Sequence, residues 1–111
     1  MKNILIFGTS SGLGSFLKKK FLSENINVIT LDRKKRGTNI IKGNNYFANF
    51  ESDQSVLKEF KKIQNKFYKI DIFINCISTE GTINEPYLKN LNDWRKTFNI
   101  NLFTNILVIK N

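Results

Sequence analysis

The chain has 111 residues, 41% of them hydrophobic and 24% charged, which fits one small globular domain and excludes a disordered or collagen-like chain. Its one cysteine excludes a disulfide scaffold, and the absence of histidine excludes His-based metal sites and Ser-His or Cys-His nucleophiles, so we predict no metal site. Eighteen Lys and Arg against nine Asp and Glu give a formal charge of +9, which keeps nucleic-acid binding as an alternative although no recognition motif accompanies it.

The first half of the chain alternates between strand and helix patterns. A continuous apolar run at residues 4–7 predicts a first strand buried on both faces, and residues 26–31 predict a second strand. Between them, apolar side chains at helical spacing predict a helix that Ser10 or Ser11 caps and Asn25 ends. The apolar positions of this helix are Leu13, Phe16, Leu17 and Phe21.

The second half continues the alternation after a basic, polar stretch at residues 32–45. Residues 46–48 predict a third strand, Asp53 begins a second helix, and residues 70–76 predict a fourth strand. A polar loop through Gly81 and Pro86 leads to a last helix beginning near Asn92. One side of that helix, expected to lie mostly in the core, carries Trp94, Phe98, Asn101, Leu102 and Ile106. This order predicts an α/β fold with a parallel sheet joined by crossovers.

Targeting and membrane segments are not evident in the sequence. The run at residues 4–7 is shorter than the apolar core of a signal sequence, and asparagines interrupt the stretch between residues 98 and 109. We therefore expect a cytoplasmic protein without a membrane partner.

A glycine-rich loop joins the first strand to the first helix. It comprises Gly8, Thr9, Ser10, Ser11, Gly12, Leu13 and Gly14. Its glycines let the backbone turn tightly and approach a pyrophosphate, and the helix that follows directs its unpaired N–H groups at the same place. Because no Lys-Ser or Lys-Thr pair follows the last glycine, the loop is not a P-loop. The arrangement predicts a dinucleotide site.

The end of the second strand carries the acidic residue that such a site needs. Asp32 lies 18 residues past Gly14, where a carboxylate accepts the hydroxyls of the adenosine ribose. The same carboxylate would repel a 2′-phosphate, whereas the neighbouring Arg33 could pair with one. We therefore predict NAD as the cofactor, with NADP as the alternative.

These motifs resemble those of the short-chain dehydrogenase/reductase family. The family loop T-G-x-x-x-G-x-G is matched at its three glycines, with Phe7 replacing the threonine. The family motif D-x-x-x-N-N-A-G is matched loosely by residues 71–78, where Asn75 agrees but Cys76, Ile77 and Ser78 differ. The third motif, an Asn-Leu step after a tryptophan, corresponds to Asn101-Leu102 following Trp94, and Asn49-Phe50 occupies the place of the adenine-contacting pair.

The resemblance implies an NAD(P)-binding Rossmann fold and hydride transfer between a nicotinamide and an alcohol or carbonyl substrate. It assigns Asn101 a catalytic role, and it assigns cofactor contacts to residues 8–14, Asp32, Arg33, Asn49, Phe50, Asn75, Cys76 and Ile77. The alternative is a purely structural role for both residues, in which Asn101 forms hydrogen bonds only to helix backbone and Cys76 is a small buried apolar side chain.

The resemblance also implies what these 111 residues lack. The catalytic Ser and Tyr-x-x-x-Lys of the family are not found, since Tyr46, Tyr68 and Tyr87 are each followed four residues later by an apolar side chain. We expect residues 1–111 to be the N-terminal half of a domain, cut after the family's fourth strand and fourth helix and inactive alone. The full-length form is expected to be a homo-oligomer. A non-catalytic dinucleotide-binding or interaction module of the same fold is the alternative.

Overall fold

The computed structural model describes residues 2–10, 12–33, 44–78 and 90–110. Their strands are β1 (Asn3–Phe7), β2 (Asn27–Asp32), β3 (Asn44–Phe47) and β4 (Ile72–Asn75). Their helices are α1 (Gly12–Ser23), α2 (Asp53–Lys66), α3 (Leu91–Phe98) and α4 (Thr104–Lys110), and a π-helical turn at Asn99–Phe103 joins the last two. The predicted order of strands and helices is therefore confirmed, with strand boundaries shifted by one or two residues.

The strands form one parallel sheet in the order β3-β2-β1-β4. Leu5 in β1 lies opposite Ile29 of β2 and Phe73 of β4. The chain moves outward from β1 to β3 and then returns to the other side of β1, so the order reverses between β1 and β4. Ligands of open α/β sheets bind outside the carboxyl ends of the strands at such a reversal. The predicted α/β fold with a parallel sheet is thus confirmed.

Two apolar clusters cover the faces of the sheet, because successive strand side chains point to opposite sides. On one face, Leu5, Phe7, Ile29 and Leu31 pack in a cluster with α2 and α4. The rings of Phe50 and Phe73 meet Phe7 edge-on, with centroids 5.5 and 4.8 Å away. The smaller cluster on the other face contains Ile4, Ile6 and Val28, against which α1 packs Leu17, Phe21 and Leu22.

Hydrogen bonds at the amino ends of the strands hold β4 against β1. The backbone N–H of Asn3 donates to Asp71 Oδ2 over 2.8 Å, and the backbone N–H of Asp71 donates to the Asn3 carbonyl over 2.9 Å. The hydrogen bond from Asn3 lowers the pKa of Asp71 below its ordinary value, because it favours the ionised carboxylate. The Asn3 side chain also accepts from Asn27 in β2.

The ends of the first two helices follow their sequence signals. Asn25, two residues beyond α1, has φ +59°, so the predicted stop is confirmed. Ser52 caps α2 by accepting from the backbone N–H of Ser55. The predicted cap Ser11, the loop through Gly81 and Pro86, and residues 34–43 lie outside the described residues.

The placement of large side chains in the core was predicted wrongly for two helices. In α1, Leu13 and Phe16 are 63% and 64% exposed. The predicted last helix is interrupted by the π-helical turn, and this turn changes which side chains face the sheet. Thr104 and Val108 are buried in place of the side chains that the sequence assigned to the core. Trp94, Phe98, Leu102 and Ile106 are exposed, and the ring of Trp94 stacks on that of Phe98.

The described helices include none with the length and apolar character needed to cross a membrane.

Candidate functional site

A cleft of about 330 Å³ opens above the carboxyl ends of β1, β2 and β4. It lies where the strand order reverses, and five separate stretches of the chain contribute to it. Its lining residues are Gly8, Ser10, Asp32, Arg33, Phe50, Glu51, Cys76, Ile77, Ser78 and Ile100. Seven of these ten belong to the predicted cofactor-binding set of fourteen residues, so the cleft brings half of that set together.

Two glycines of the loop lie too close to neighbouring atoms to carry a side chain. A Cβ on Gly14 would lie 1.7 Å from the carbonyl oxygen of Gly8, and one on Gly8 would lie 2.7 Å from Ile77 Cγ1. Gly8 has φ +84° and donates its backbone N–H to the Leu31 carbonyl. Gly12 also has a positive φ but borders open space. The loop therefore packs tightly beneath the first turn of α1 and is open above it.

Asp32 is tied to the glycine loop through Thr9. The backbone N–H of Thr9 donates to Asp32 Oδ1 over 2.5 Å, and Thr9 Oγ1 donates to Oδ2 over 2.7 Å. Both residues are buried, at 8% and 9% exposure. A carboxylate has about four lone-pair sites. Each oxygen therefore keeps the capacity to accept one further hydrogen bond at the edge of the cleft.

Positive charge lies on both sides of this carboxylate. Arg33 lines the cleft, and Lys18 on α1 is near enough for its charge to interact with that of Asp32. Burial lowers the pKa of Lys18, and attraction to Asp32 offsets part of that decrease. The Lys18 ammonium donates to Asn45 Oδ1 over 3.0 Å, which fixes it between α1 and β3.

The segment after β4 forms the opposite wall of the cleft. The backbone N–H of Cys76 donates to the Phe7 carbonyl over 2.8 Å, which continues the pairing of β4 with β1. Asn75 Oδ1 accepts from the backbone N–H of Ile77 over 2.9 Å and so shapes the turn. The other end of the same amide donates from Nδ2 to Asn105 Oδ1 on α4.

The remaining predicted site residues lie at the border of the cleft or beyond it. Asn49 is exposed and its side chain accepts from the backbone N–H of Glu51, whereas the neighbouring Phe50 is buried and lines the cleft. Leu13 and Gly12 are exposed at the start of α1. Asn101 is exposed in the π-helical turn, next to Ile100, and its carbonyl accepts from the Asn105 side chain.

Four residues were missed by the sequence analysis: Glu51, Ser78, Ile100 and Asn105. The first three adjoin predicted site residues, so a wider window would have included them. Asn105 is four residues past Asn101, a spacing that places both on one side of a helix. Within the described ranges, no three His, Cys, Asp or Glu side chains are grouped as metal ligands.

Comparison with known proteins identifies the family of the chain. The model of the short chain dehydrogenase family matches residues 2–111. The chain belongs to the short-chain dehydrogenase family. This membership confirms the resemblance seen in the glycine loop and in Asn75, and it makes the chain part of an NAD(P)-binding oxidoreductase family.

Relatives and solved structures agree with the family match. The chain is 30% identical over 107 residues to the 3-oxoacyl-(acyl-carrier-protein) reductase FabG of Buchnera aphidicola, covering 91% of this chain and 43% of that one. A 3-ketoacyl-(acyl-carrier-protein) reductase of Brucella melitensis complexed with NADH has a TM-score of 0.83 at 22% identity, covering 98% of this chain and 47% of that one. A short-chain dehydrogenase of Leptospira borgpetersenii with bound NAD+ has a TM-score of 0.80 at 22% identity, covering 98% and 43%.

The chain therefore spans a little under half the length of these short-chain dehydrogenases.

Proposed function

We propose that this chain is the dinucleotide-binding part of an oxidoreductase that transfers hydride between a nicotinamide cofactor and an alcohol or carbonyl substrate. The observation that carries the proposal is the buried Asp32 carboxylate, held by two hydrogen bonds from Thr9 at the edge of the glycine-loop cleft. The relatives described with NADH or NAD+ support a nicotinamide dinucleotide as the ligand.

The residues of the cleft fit the adenosine and pyrophosphate parts of such a ligand. Asp32 retains acceptor capacity for the two ribose hydroxyls, because each of its oxygens accepts only one hydrogen bond from Thr9. The first turn of α1 carries N–H groups without helical partners, and the open space beside Gly12 lets phosphate oxygens reach them. Phe50 provides an apolar wall for the adenine ring.

The cofactor preference follows from the charge at the ribose. A 2′-phosphate placed against Asp32 would bring two negative groups together in a buried position, and Arg33 and Lys18 would have to offset their repulsion. We therefore propose NAD in preference to NADP.

The opposite end of the cleft is assigned to the nicotinamide and substrate. Cys76, Ile77 and Ser78 line it, and Ile100 extends the lining toward Asn101, the proposed catalytic residue. A bound nicotinamide would supply or accept the hydride there. The 111 residues hold no Tyr-x-x-x-Lys pair to move the proton, so we expect them to bind the cofactor without turnover.

The proposal is tested by calorimetric titration of the 111-residue chain with NAD+ and with NADP+. The wild-type chain is expected to bind NAD+ at least about tenfold more tightly than NADP+. Asp32→Asn, which keeps the shape of the side chain, should weaken NAD+ binding by about tenfold because it loses charge-assisted hydrogen bonds to the ribose.

The matched control is Glu24→Gln, which makes the same change in charge at an exposed carboxylate paired with Lys20 on α1. It is expected to leave NAD+ affinity unchanged. Equal effects of the two substitutions would remove Asp32 from the site. A wild-type chain that binds neither nucleotide would contradict the proposed function.

A further inference from the structure

We propose that Asn105 is a positioning residue that holds the wall of the cleft after β4 in its binding conformation. The inference rests on the proposed function and assigns a role to a side chain that does not line the cleft. The role requires a chain of contacts from α4 to the ligand space, and the structure provides each contact in turn.

The first contacts are three hydrogen bonds that run in series from the π-helical turn through Asn105 and Asn75 to the turn after β4. Asn105 Oδ1 accepts from Asn75 Nδ2, and Asn75 Oδ1 accepts from the backbone N–H of Ile77 over 2.9 Å. Asn105 Nδ2 donates to the Asn101 carbonyl over 3.1 Å, which fixes the orientation of its own amide. Both ends of each amide are therefore used, and neither side chain can rotate without breaking bonds at both ends.

The π-helical turn determines which side chain reaches Asn75. In a π-helical turn the hydrogen bond joins residues five apart, so the turn holds one residue more than an α-helical turn. The side chains that follow are therefore rotated about the helix axis by about 100° relative to a continuous α-helix. Thr104 closes this turn, since both its backbone N–H and its Oγ1 bond to the Asn99 carbonyl. Thr104 is buried behind the turn, and Asn105 occupies the direction that residue 104 would otherwise take. The turn is thus what brings Asn105 to β4.

The last contact, between Ile77 and Gly8, links the turn after β4 to the cleft. Ile77 lines the cleft and lies so close to Gly8 that a Cβ there would be 2.7 Å from Ile77 Cγ1. A displaced Ile77 would therefore collide with the glycine loop on one side or narrow the cleft on the other. By fixing Asn75, Asn105 keeps Ile77 and Ser78 clear of the cofactor.

The effect is confined to one half of the dinucleotide. The adenosine half would lie between the glycine loop and Asp32, on the β2 side of the sheet, whereas the turn after β4 is on the far side of β1. Loss of the Asn105 contact should therefore weaken binding of the nicotinamide half and leave binding of the adenosine half nearly unchanged.

The test compares NADH and AMP as ligands, with NADH fluorescence and calorimetry as readouts. In Asn105→Leu, which has a similar shape but no hydrogen-bonding groups, the dissociation constant of NADH should rise about tenfold and that of AMP less than about threefold. Asn105→Asp keeps an acceptor for Asn75 and should restore NADH binding to within about threefold of wild type. Asn92→Leu, at an exposed position in the first turn of α3, is the control and should change neither constant.

Each outcome decides the inference. An unchanged NADH constant in Asn105→Leu overturns it, and so does an equal loss of NADH and AMP binding, which indicates general destabilisation. If Asn105→Leu does not fold, Asn105→Ser, too short to reach Asn75, carries the same expectation. A wild-type chain that binds neither ligand overturns the proposed function and this inference together, whereas normal wild-type binding with an unaffected variant overturns the inference alone.

Discussion

The two walls of the cleft are built in different ways. The glycine-loop wall comprises residues 8–14 with Asp32. It is fixed by the close approach of glycine backbone to glycine backbone and by the two hydrogen bonds that Thr9 donates to the Asp32 carboxylate. In the wall after β4, a backbone hydrogen bond to Phe7 holds Cys76, but the turn that follows depends on two side-chain amides, Asn75 and Asn105, that are 30 residues apart in sequence. Since close backbone packing cannot adjust and a side-chain pair can, we expect the glycine-loop wall to be rigid and the β4 wall to be adjustable.

The largest expected effect is at the rigid wall. Gly14→Ala would place a Cβ 1.7 Å from the Gly8 carbonyl oxygen, a backbone atom that cannot move away as a flexible side chain could. We expect a loss of about 3 kcal/mol or more in the free energy of unfolding, measured by urea denaturation.

Gly12→Ala is the control for that substitution. Gly12 has φ +59°, but a Cβ added there would meet nothing within 4 Å, so alanine costs only the backbone strain of about 1 kcal/mol. Equal losses for the two variants would show that the close approach of Gly14 to Gly8 does not constrain the loop.

The next effect concerns the carboxylate of the same wall. Thr9→Val removes the hydroxyl that donates to Asp32 Oδ2 and keeps the shape of the side chain and the backbone N–H. The carboxylate then loses one of its two fixed bonds, and we expect the preference for NAD+ over NADP+ to fall by about fivefold to tenfold, measured by calorimetry. Thr97→Val is the matched control, because Thr97 Oγ1 donates to the Asp93 carbonyl within α3. A preference that Thr9→Val leaves unchanged would mean that Asp32 does not depend on Thr9.

A smaller effect is expected at the exposed edge of β4, the strand that precedes the adjustable wall. β4 is an edge of the described sheet, and its Ile72 is 41% exposed. Unpaired edge strands associate with other chains, so Ile72→Lys should reduce self-association of the isolated chain in sedimentation experiments. Ile109→Lys is the control, because Ile109 is more exposed but lies on a helix. Equal behaviour of the two variants would exclude the strand edge as the cause.

The smallest effect is on stability toward acid, and it concerns Asp71 at the amino end of β4. The Asn3 N–H lowers the pKa of Asp71, so the ionised carboxylate stabilises the fold above the unfolded pKa of about 4. This contribution is lost as the pH falls through the lower pKa of the folded state. The melting temperature of the wild-type chain should therefore fall more steeply between pH 5 and pH 3 than that of Asp71→Asn. Parallel slopes would contradict this.

The sequence was sufficient to predict the rigid wall because local rules govern it. Glycine spacing, an apolar run ending at Phe7 and an acidic residue after the second strand are each typical of one arrangement. The stop at Asn25 and the start of α2 at Asp53 were predictable for the same reason. These features act within a few residues of the chain, so a pattern can reveal them.

The adjustable wall could not be predicted in the same way. A π-helical turn leaves no residue signature comparable to a glycine or proline, and a continuous helical period assigned Trp94, Phe98 and Leu102 to the core side. The extra residue at 99–103 changed that side and brought Asn105 to Asn75. A register shift depends on how the helix packs on the rest of the fold, which local spacing does not contain.

The central claim, that the cleft between the two walls holds the dinucleotide, is tested most directly by mapping NAD+ binding on the backbone amides with nuclear magnetic resonance. NAD+ should shift the amide signals of Gly8, Ser10, Asp32 and Ile77 most strongly, since these residues line the cleft from both walls. An absence of shifts, or shifts confined to the exposed α3 face around Trp94 and Phe98, would contradict it.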